Sequence, residues 1–163
     1  MLNISTLDWD QDLIKLFELE KINLPEIKKN ADDFGSTTLF GGDIKISGMA
    51  GDQQAALFGQ TCFEAGDIKS TYGTGCFLIL NTGNQILRSQ NKLLTTIGYK
   101  IDQEVVYALE GSIFIAGALI QWLRDKMKFF ISAPESEGLA KIANENSELI
   151  IVPSFTGLGA PFW

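Results

Sequence analysis

The sequence predicts a mixed α/β fold, a sheet with helices on at least one face. Three observations carry that prediction. Four β-patterned runs follow one another between residues 67 and 110, two helical stretches come after them at 112–127 and 134–146, and a β-branched run at 148–153 closes the series. A chain of 163 residues is one domain or two incomplete ones. At this size a compact fold buries roughly 68–70% of the surface of its unfolded chain.

Each element has its own local reason. Residues 8–19 place Leu13, Ile14, Phe17 and Leu16 on one helical stripe, with Thr6 or Asp8 available as cap. Leu24-Pro25-Glu26 then reads as a turn or new helix start, and residues 28–38 as polar surface. Phe40-Gly41-Gly42 makes a loop before a short strand at 44–47. Residues 52–64 favour a helix through Gln53, Gln54, Ala55, Ala56 and Leu57, begun by Asp52 and stopped by Gly66. Residues 67–72 and 76–81 form a hairpin about Gly73-Thr74-Gly75, and a second hairpin pairs 93–100 with 105–110 across residues 101–104. The stretch 112–127 is apolar nearly all round, as in a helix packed on a sheet and covered from outside. The chain ends in Phe155-Thr156-Gly157-Leu158-Gly159-Ala160-Pro161-Phe162-Trp163, so apolar that further chain is expected to cover it.

Composition removes several function classes. A net charge of −7, with no basic run longer than Lys28-Lys29, opposes binding to a phosphate backbone, so no nucleic-acid partner is expected. No apolar run approaches the roughly 18 residues that span a bilayer, and the N-terminus, with Asp8, Asp10 and Asp12, does not read as a signal peptide. The sequon Asn3-Ile4-Ser5 is then incidental. Cys62 and Cys76 fit small core residues of a reduced, cytoplasmic protein. With no histidine, Ser-His and Cys-His nucleophiles and His-ligated metal sites are excluded, and no metal site is expected in the chain itself.

Two segments could carry chemistry. Asp52, at a helix start, reads either as an N-cap or as a general base on a substrate hydroxyl, with Gln53 beside it able to bond the same polyol. Gly73-Thr74-Gly75 reads either as a plain hairpin turn or as a place where backbone N–H groups and a hydroxyl meet an anion. Gly117 and Gln121 lie one helical turn apart, where they would admit a flat ligand or merely allow close helix packing. Neither a Walker A sequence nor Gly-x-Gly-x-x-Gly is present, which removes the main support for P-loop and Rossmann readings.

Taken in order, residues 46–60 (through Gly51-Asp52-Gln53-Gln54), Thr71-Tyr72-Gly73-Thr74-Gly75-Cys76-Phe77, 93–97, Tyr107-Ala108-Leu109-Glu110-Gly111, 118–125 and 152–163 resemble the glycerol kinases of the FGGY carbohydrate kinase family. The resemblance covers nearly the whole chain. It implies a ribonuclease H-like fold of the actin/hexokinase ATPase type, incomplete here. Residues 1–62 would be the end of the first kinase domain and 63–163 the first half of the second, nucleotide-binding one.

The resemblance further implies phosphoryl transfer from Mg-ATP to glycerol, giving sn-glycerol 3-phosphate and ADP, with ATP and Mg2+ as the expected cofactors. Asp52 would be the catalytic base, Gln53 a glycerol contact and Phe77 an apolar wall for the carbon chain. Gly73, Thr74 and Gly75 would meet the ATP phosphates, and Gly117 and Gln121 would line the nucleotide pocket. A kinase for xylulose, ribulose or gluconate fits the Gly-Asp-Gln-Gln and Tyr-Gly-Thr-Gly-Cys segments less well. The family's first phosphate loop, the Arg-Glu pair that completes its glycerol site and its adenine loop have no counterpart here, and Phe40-Gly41-Gly42-Asp43 is shorter than the loop through which some members bind fructose 1,6-bisphosphate. The expectation is therefore a central kinase fragment, inactive alone. Its partner would be a complementary kinase fragment or a second copy burying the Trp163 end, and the alternative is a non-catalytic folded module with weak nucleotide binding at most.

Overall fold

The computed structural model describes residues 1–163. Strands β1 (Leu2–Asn3) and β2 (Asp8–Trp9) pair antiparallel and lead into helix α1 (Gln11–Leu16). The cap is Asp10, whose side chain accepts from the Leu13 N–H at 3.0 Å and from the Asn3 amide at 2.9 Å. Asp8 is unavailable as a cap because its backbone belongs to the strand pair, so the helix begins later than residue 8. It also ends early, with Glu18 in the left-handed region at φ 56°.

The polar stretch after residue 28 is more structured than its composition suggests. Strands β3 (Ser36–Thr37) and β4 (Ile44–Lys45) form a short hairpin closed over residues 38–43. Asn30 ties this excursion to the rest of the fold. Its N–H donates to the Lys100 carbonyl at 2.9 Å, its Oδ1 accepts from the Lys100 N–H at 2.7 Å, and its carbonyl accepts from the Met49 N–H at 2.9 Å.

Helix α2 (Asp52–Gly59) is shorter than expected, ending before Gly66 because the chain turns at Thr61, φ 57°. Beneath it lie four antiparallel strands, β5 (Ile68–Tyr72), β6 (Cys76–Gly83), β7 (Leu94–Ile101) and β8 (Glu104–Ile113), in the order β5-β6-β8-β7. Both expected hairpins form, the second turning at Asp102 with φ 50°. Leu57 of α2 is fully buried and packs with Cys62, Ile79, Tyr99, Val106 and Ala108. The register of β7 on β8 shifts around Gly98, and a methyl group there would stand 3.1 Å from Leu57 Cδ2. Glycine thus lets the helix settle on the sheet. Buried Asn81 donates to the Cys62 carbonyl at 2.9 Å and accepts from the Gly83 N–H at 2.7 Å, so it is satisfied at both ends of its amide.

Helices α3 (Gly117–Asp125) and α4 (Glu135–Ile142) complete the chain. The helix expected from residue 112 starts five residues later, because Ser112 and Ile113 extend β8 opposite Phe77 and Cys76. The strand expected at 148–153 does not form: Leu149 and Ile150 are 80% and 82% exposed, and no strand lies alongside to take up their backbone groups. The end of the chain instead returns to β8, where the Ala160 N–H donates to the Ser112 carbonyl at 2.8 Å. Only 15 of 163 residues are buried, and the accessible surface is 11844 Å². A compact chain of this mass exposes roughly 8000 Å², so the expected 68–70% burial is not reached, and many apolar side chains face outward.

Candidate active site

The N-terminal turn of α2 presents the first half of the site. Gly51 is the helix cap and Asp52 the first helical residue, so the cap role considered for Asp52 falls to its neighbour. A carboxylate is favoured there by the unsatisfied N–H groups of the helix start. Asp52 is exposed; its Oδ1 accepts from the Gln53 N–H at 2.8 Å and its Oδ2 from the Gln53 amide nitrogen at 3.1 Å. These bonds hold the carboxylate plane while leaving further lone pairs to solvent.

Under this turn lies a residue that sequence reasoning did not single out. Lys69 of β5 is 3% exposed, pointing to the same face of the sheet as Ile79 opposite it. Its ammonium donates to Gln53 Oε1, to Thr71 Oγ1 at 3.0 Å and to the Phe77 carbonyl at 3.2 Å. Burial pulls the ammonium below the usual lysine range, and the negative charges of Glu110 and Asp52 oppose that pull. The available signal was the alternation Ile68-Lys69-Ser70-Thr71-Tyr72, which is inverted: Ile68 and Tyr72 are exposed while Lys69 is buried.

Phe77 connects this region to the glycine loop. Gly75 approaches the end of β8 so closely that a methyl group on it would stand 2.6 Å from the Ile113 carbonyl oxygen and 3.2 Å from Phe77 Cε2. Only glycine fits that crossing. Beyond it, the loop carbonyls cap α3: the Gly117 N–H donates to Gly73 O at 2.9 Å, and the Ala116 and Ala118 N–H groups to Thr74 O at 2.8 and 3.2 Å. The Thr74 side chain itself is exposed, and Gln121, one turn along α3 from Gly117, is exposed too.

The sequence-selected residues therefore fall into two groups. Asp52 and Gln53 are bonded to one another and reach the Phe77 backbone through Lys69. Gly73, Thr74, Gly75 and Gly117 form one bonded loop-and-helix unit, joined to the first group where the Phe77 ring meets Gly75. Gln121 belongs to the second group only through its helix.

An apolar cavity of about 360 Å³ lies on the other flank of α2 between Met49, Ala55, Phe58 and Tyr99. Its polar side chains are Asn30, Gln54 and the Tyr99 phenol, which burial pushes up from its ordinary range, and no carboxylate lines it. No group of three or more His, Cys, Asp or Glu side chains is placed to hold a metal ion, and no helix is long and apolar enough to cross a membrane.

The C-terminal domain profile of the FGGY family of carbohydrate kinases matches residues 68–163. The chain is 56% identical over 164 aligned positions to a glycerol kinase of Streptococcus uberis and 58% identical over 165 to one of Rhizobium rhizogenes. These alignments take in 99% and 100% of this chain but 33% of either relative, so the chain spans about a third of their length. Among solved structures, Plasmodium falciparum glycerol kinase with ADP is 40% identical with a TM-score of 0.74, over 87% of this chain and 29% of that one. A xylulose kinase from Lactobacillus acidophilus, at 23% identity and a TM-score of 0.76 over 98% of this chain and 34% of that one, shares the fold. The architecture is thus part of the ribonuclease H-like, actin/hexokinase-type ATPase fold, and the chain belongs to the FGGY family of carbohydrate kinases.

Proposed function

We propose that this chain supplies one third of a glycerol kinase, whose whole transfers the γ-phosphoryl group of ATP to a terminal hydroxyl of glycerol and releases sn-glycerol 3-phosphate and ADP. The observation that carries the reading is the pairing of Asp52 with Gln53 at the head of α2, on a continuous path to the Gly73-Thr74-Gly75 loop. The identity to glycerol kinases across the whole chain supports it.

In this reading Asp52 accepts the proton of the attacking hydroxyl, Gln53 bonds a neighbouring hydroxyl and the Phe77 ring flanks the carbon chain. ATP, with Mg2+ on its phosphates, supplies the transferable phosphoryl group. The small glycines and the exposed Thr74 hydroxyl fit a phosphate, and Gly117 and Gln121 border the space a nucleotide would take. Mg2+ would arrive with the nucleotide, since no carboxylate cluster of the chain is placed to hold it. Residues 1–62 close the first kinase domain and 63–163 open the second, with α2 at the junction. The family profile starting at residue 68 supports that division. The expected setting is the cytoplasm.

Two assays test the reading. The chain alone, given Mg-ATP and glycerol in a coupled assay, is expected to release no ADP; release that disappears in Asp52→Asn would show that 163 residues suffice. Exchanged for the corresponding third of the Streptococcus uberis relative, the chain is expected to support glycerol phosphorylation, and Asp52→Asn to lower kcat by about 10²–10⁴-fold. A preference of the exchanged enzyme for xylulose or gluconate would sink the substrate assignment.

A second reading, a non-catalytic module covered by another copy of itself, draws on the exposed Leu149, Ile150, Phe155 and Phe162 side chains. Light scattering over a range of concentrations is expected to show self-association. A mass fixed at that of one chain would count against it.

A further inference from the structure

We propose that Lys69 is a positioning residue for the Asp52–Gln53 edge: from beneath α2 it holds the Gln53 carbonyl oxygen and the Phe77 backbone together, which turns the Gln53 amide nitrogen onto Asp52. The inference rests on the reading of that edge as the site of the substrate hydroxyl.

A glutamine amide has two ends of similar shape and opposite chemistry, and either can face inward. An ammonium group has only N–H bonds to offer, so Lys69 can receive only the oxygen. With Oε1 taken inward by Lys69, Nε2 is left facing out, and it lies 3.1 Å from Asp52 Oδ2. The carboxylate, bonded also to the Gln53 N–H at 2.8 Å, is held at both oxygens by one neighbouring residue. Lys69 in turn has no freedom to rotate away. Gln53, Thr71 and Phe77 provide one acceptor for each of its three N–H bonds.

The cost of this arrangement argues that it is more than packing. A cation that is 3% exposed and has no carboxylate within ion-pair contact gives up water for three neutral acceptors. A methionine would fill the same space opposite Ile79 without that desolvation. The carbonyl of Phe77 and the side chain of Gln53 come from a strand and a helix far apart in sequence, and Lys69 is the one side chain bonded to both. The negative charges of Glu110 and Asp52 favour its charged form, which is the form that sorts the two ends of the amide.

The test uses the 163-residue chain in solution. Side-chain amide exchange is measured by nuclear magnetic resonance for Gln53 and for the exposed Gln103 and Gln121, in the wild type, Lys69→Met and Thr71→Val. Exchange at Gln53 is expected to be slower than at the other two by about tenfold or more, as a hydrogen bond to a charged group requires. Lys69→Met should bring it within about twofold of them while the Leu57 and Ile79 methyl resonances stay in place, and Thr71→Val should leave Gln53 protected. Protection that is absent from the wild type, or that survives Lys69→Met, overturns the proposal. So does a loss of Gln53 protection in Thr71→Val equal to that in Lys69→Met, which would mark a general loosening. Should Lys69→Met not fold, the wild-type exchange rate and a through-space contact between the Lys69 ε-methylene and the Gln53 side chain decide the matter. Glycerol is then titrated into the Streptococcus uberis relative carrying the wild-type chain in place of its own corresponding third, where the rest of the substrate site is present. Gln53 protected but unmoved by glycerol, together with Asp52, would count against the substrate reading while leaving the hold of Lys69 on Gln53 standing.

Discussion

The backbone N–H of Gly117 donates to the carbonyl oxygen of Gly73 at 2.9 Å, and a methyl group placed on Gly117 would stand 2.6 Å from that same oxygen. One glycine therefore seats the first turn of α3 directly on the loop that carries Thr74. Gly117→Ala is expected to push the loop off the helix and to destabilise the chain by about 1–3 kcal/mol, the usual cost of overpacking a close contact. Thermal unfolding and the amide resonances of residues 73–75 would report it. Gly42→Ala, where nothing lies within 4 Å, is the control and should leave the unfolding temperature unchanged. Equal behaviour of the two variants would show that the contact does not exist in solution.

Leu57 is the most deeply buried of the side chains that join α2 to the sheet, beside the Phe58 ring edge-on to Tyr99 at 5.5 Å and the Gln53 bond to Lys69. It is the only fully buried side chain of the helix, in a core cluster of six residues. Leu57→Ala should cost about 2–5 kcal/mol in urea unfolding, a large fraction of what so small a core can supply. Because Asp52 and Gln53 ride on the same helix, their resonances should broaden in that variant even where the sheet persists. A loss below about 1 kcal/mol would mean that α2 is held by other contacts.

The two thiols should differ in reactivity. Cys62 is buried and its thiol is pushed up, first by burial and then by the charge of Asp67, while Cys76 is partly exposed. Since the thiolate is the nucleophile, iodoacetamide near neutral pH should label Cys76 well before Cys62. Mass spectrometry of timed samples reads the order directly. Faster labelling at Cys62 would require that the region around α2 opens.

Acid should loosen the N-terminal hairpin and α1. The Leu13 N–H, and after it the Asn3 side-chain amide, hold the Asp10 carboxyl below its ordinary value of 3.8. A depressed carboxylate contributes stability that is present above that ordinary value and is lost as the pH falls through its lowered folded value. Amide exchange at Leu13 should therefore quicken between about pH 5 and about pH 3, beyond the intrinsic trend of exposed amides, and Asp10→Asn should remove the extra dependence. An unchanged profile in the variant would show that another group drives the fraying.

Much of the molecule could be read along the chain because its causes are local. The hairpin about Gly73-Thr74-Gly75, the turn near Asp102 and the helix begun at Asp52 each depend on turn chemistry or helix preference spread over a few residues. The candidate residues Asp52, Gln53, Thr74 and Gly117 were found in this way, since each sits where one element starts or two meet. Their motifs, in order along the chain, also sufficed to identify the family.

What only the tertiary structure decided were the matters of partnership. Ser112 and Ile113 are apolar enough in context to open a helix, yet they continue β8 because Phe77 and Cys76 of β6 lie alongside to pair with them. Residues 148–153 are as β-branched as any strand, but with no neighbouring strand to accept their backbone bonds they form none. Asn30 reads as one polar residue among many until the Lys100 backbone is placed against both its amide oxygen and its own N–H. Lys69 is the sharpest case: alternation along β5 cannot say which face is inward, and the strand turned its lysine in because Gln53, Thr71 and Phe77 together supply three acceptors there. Backbone turns are settled by the residues that make them, whereas the facing of a strand and the worth of a buried charge are settled by atoms that only the folded chain brings near.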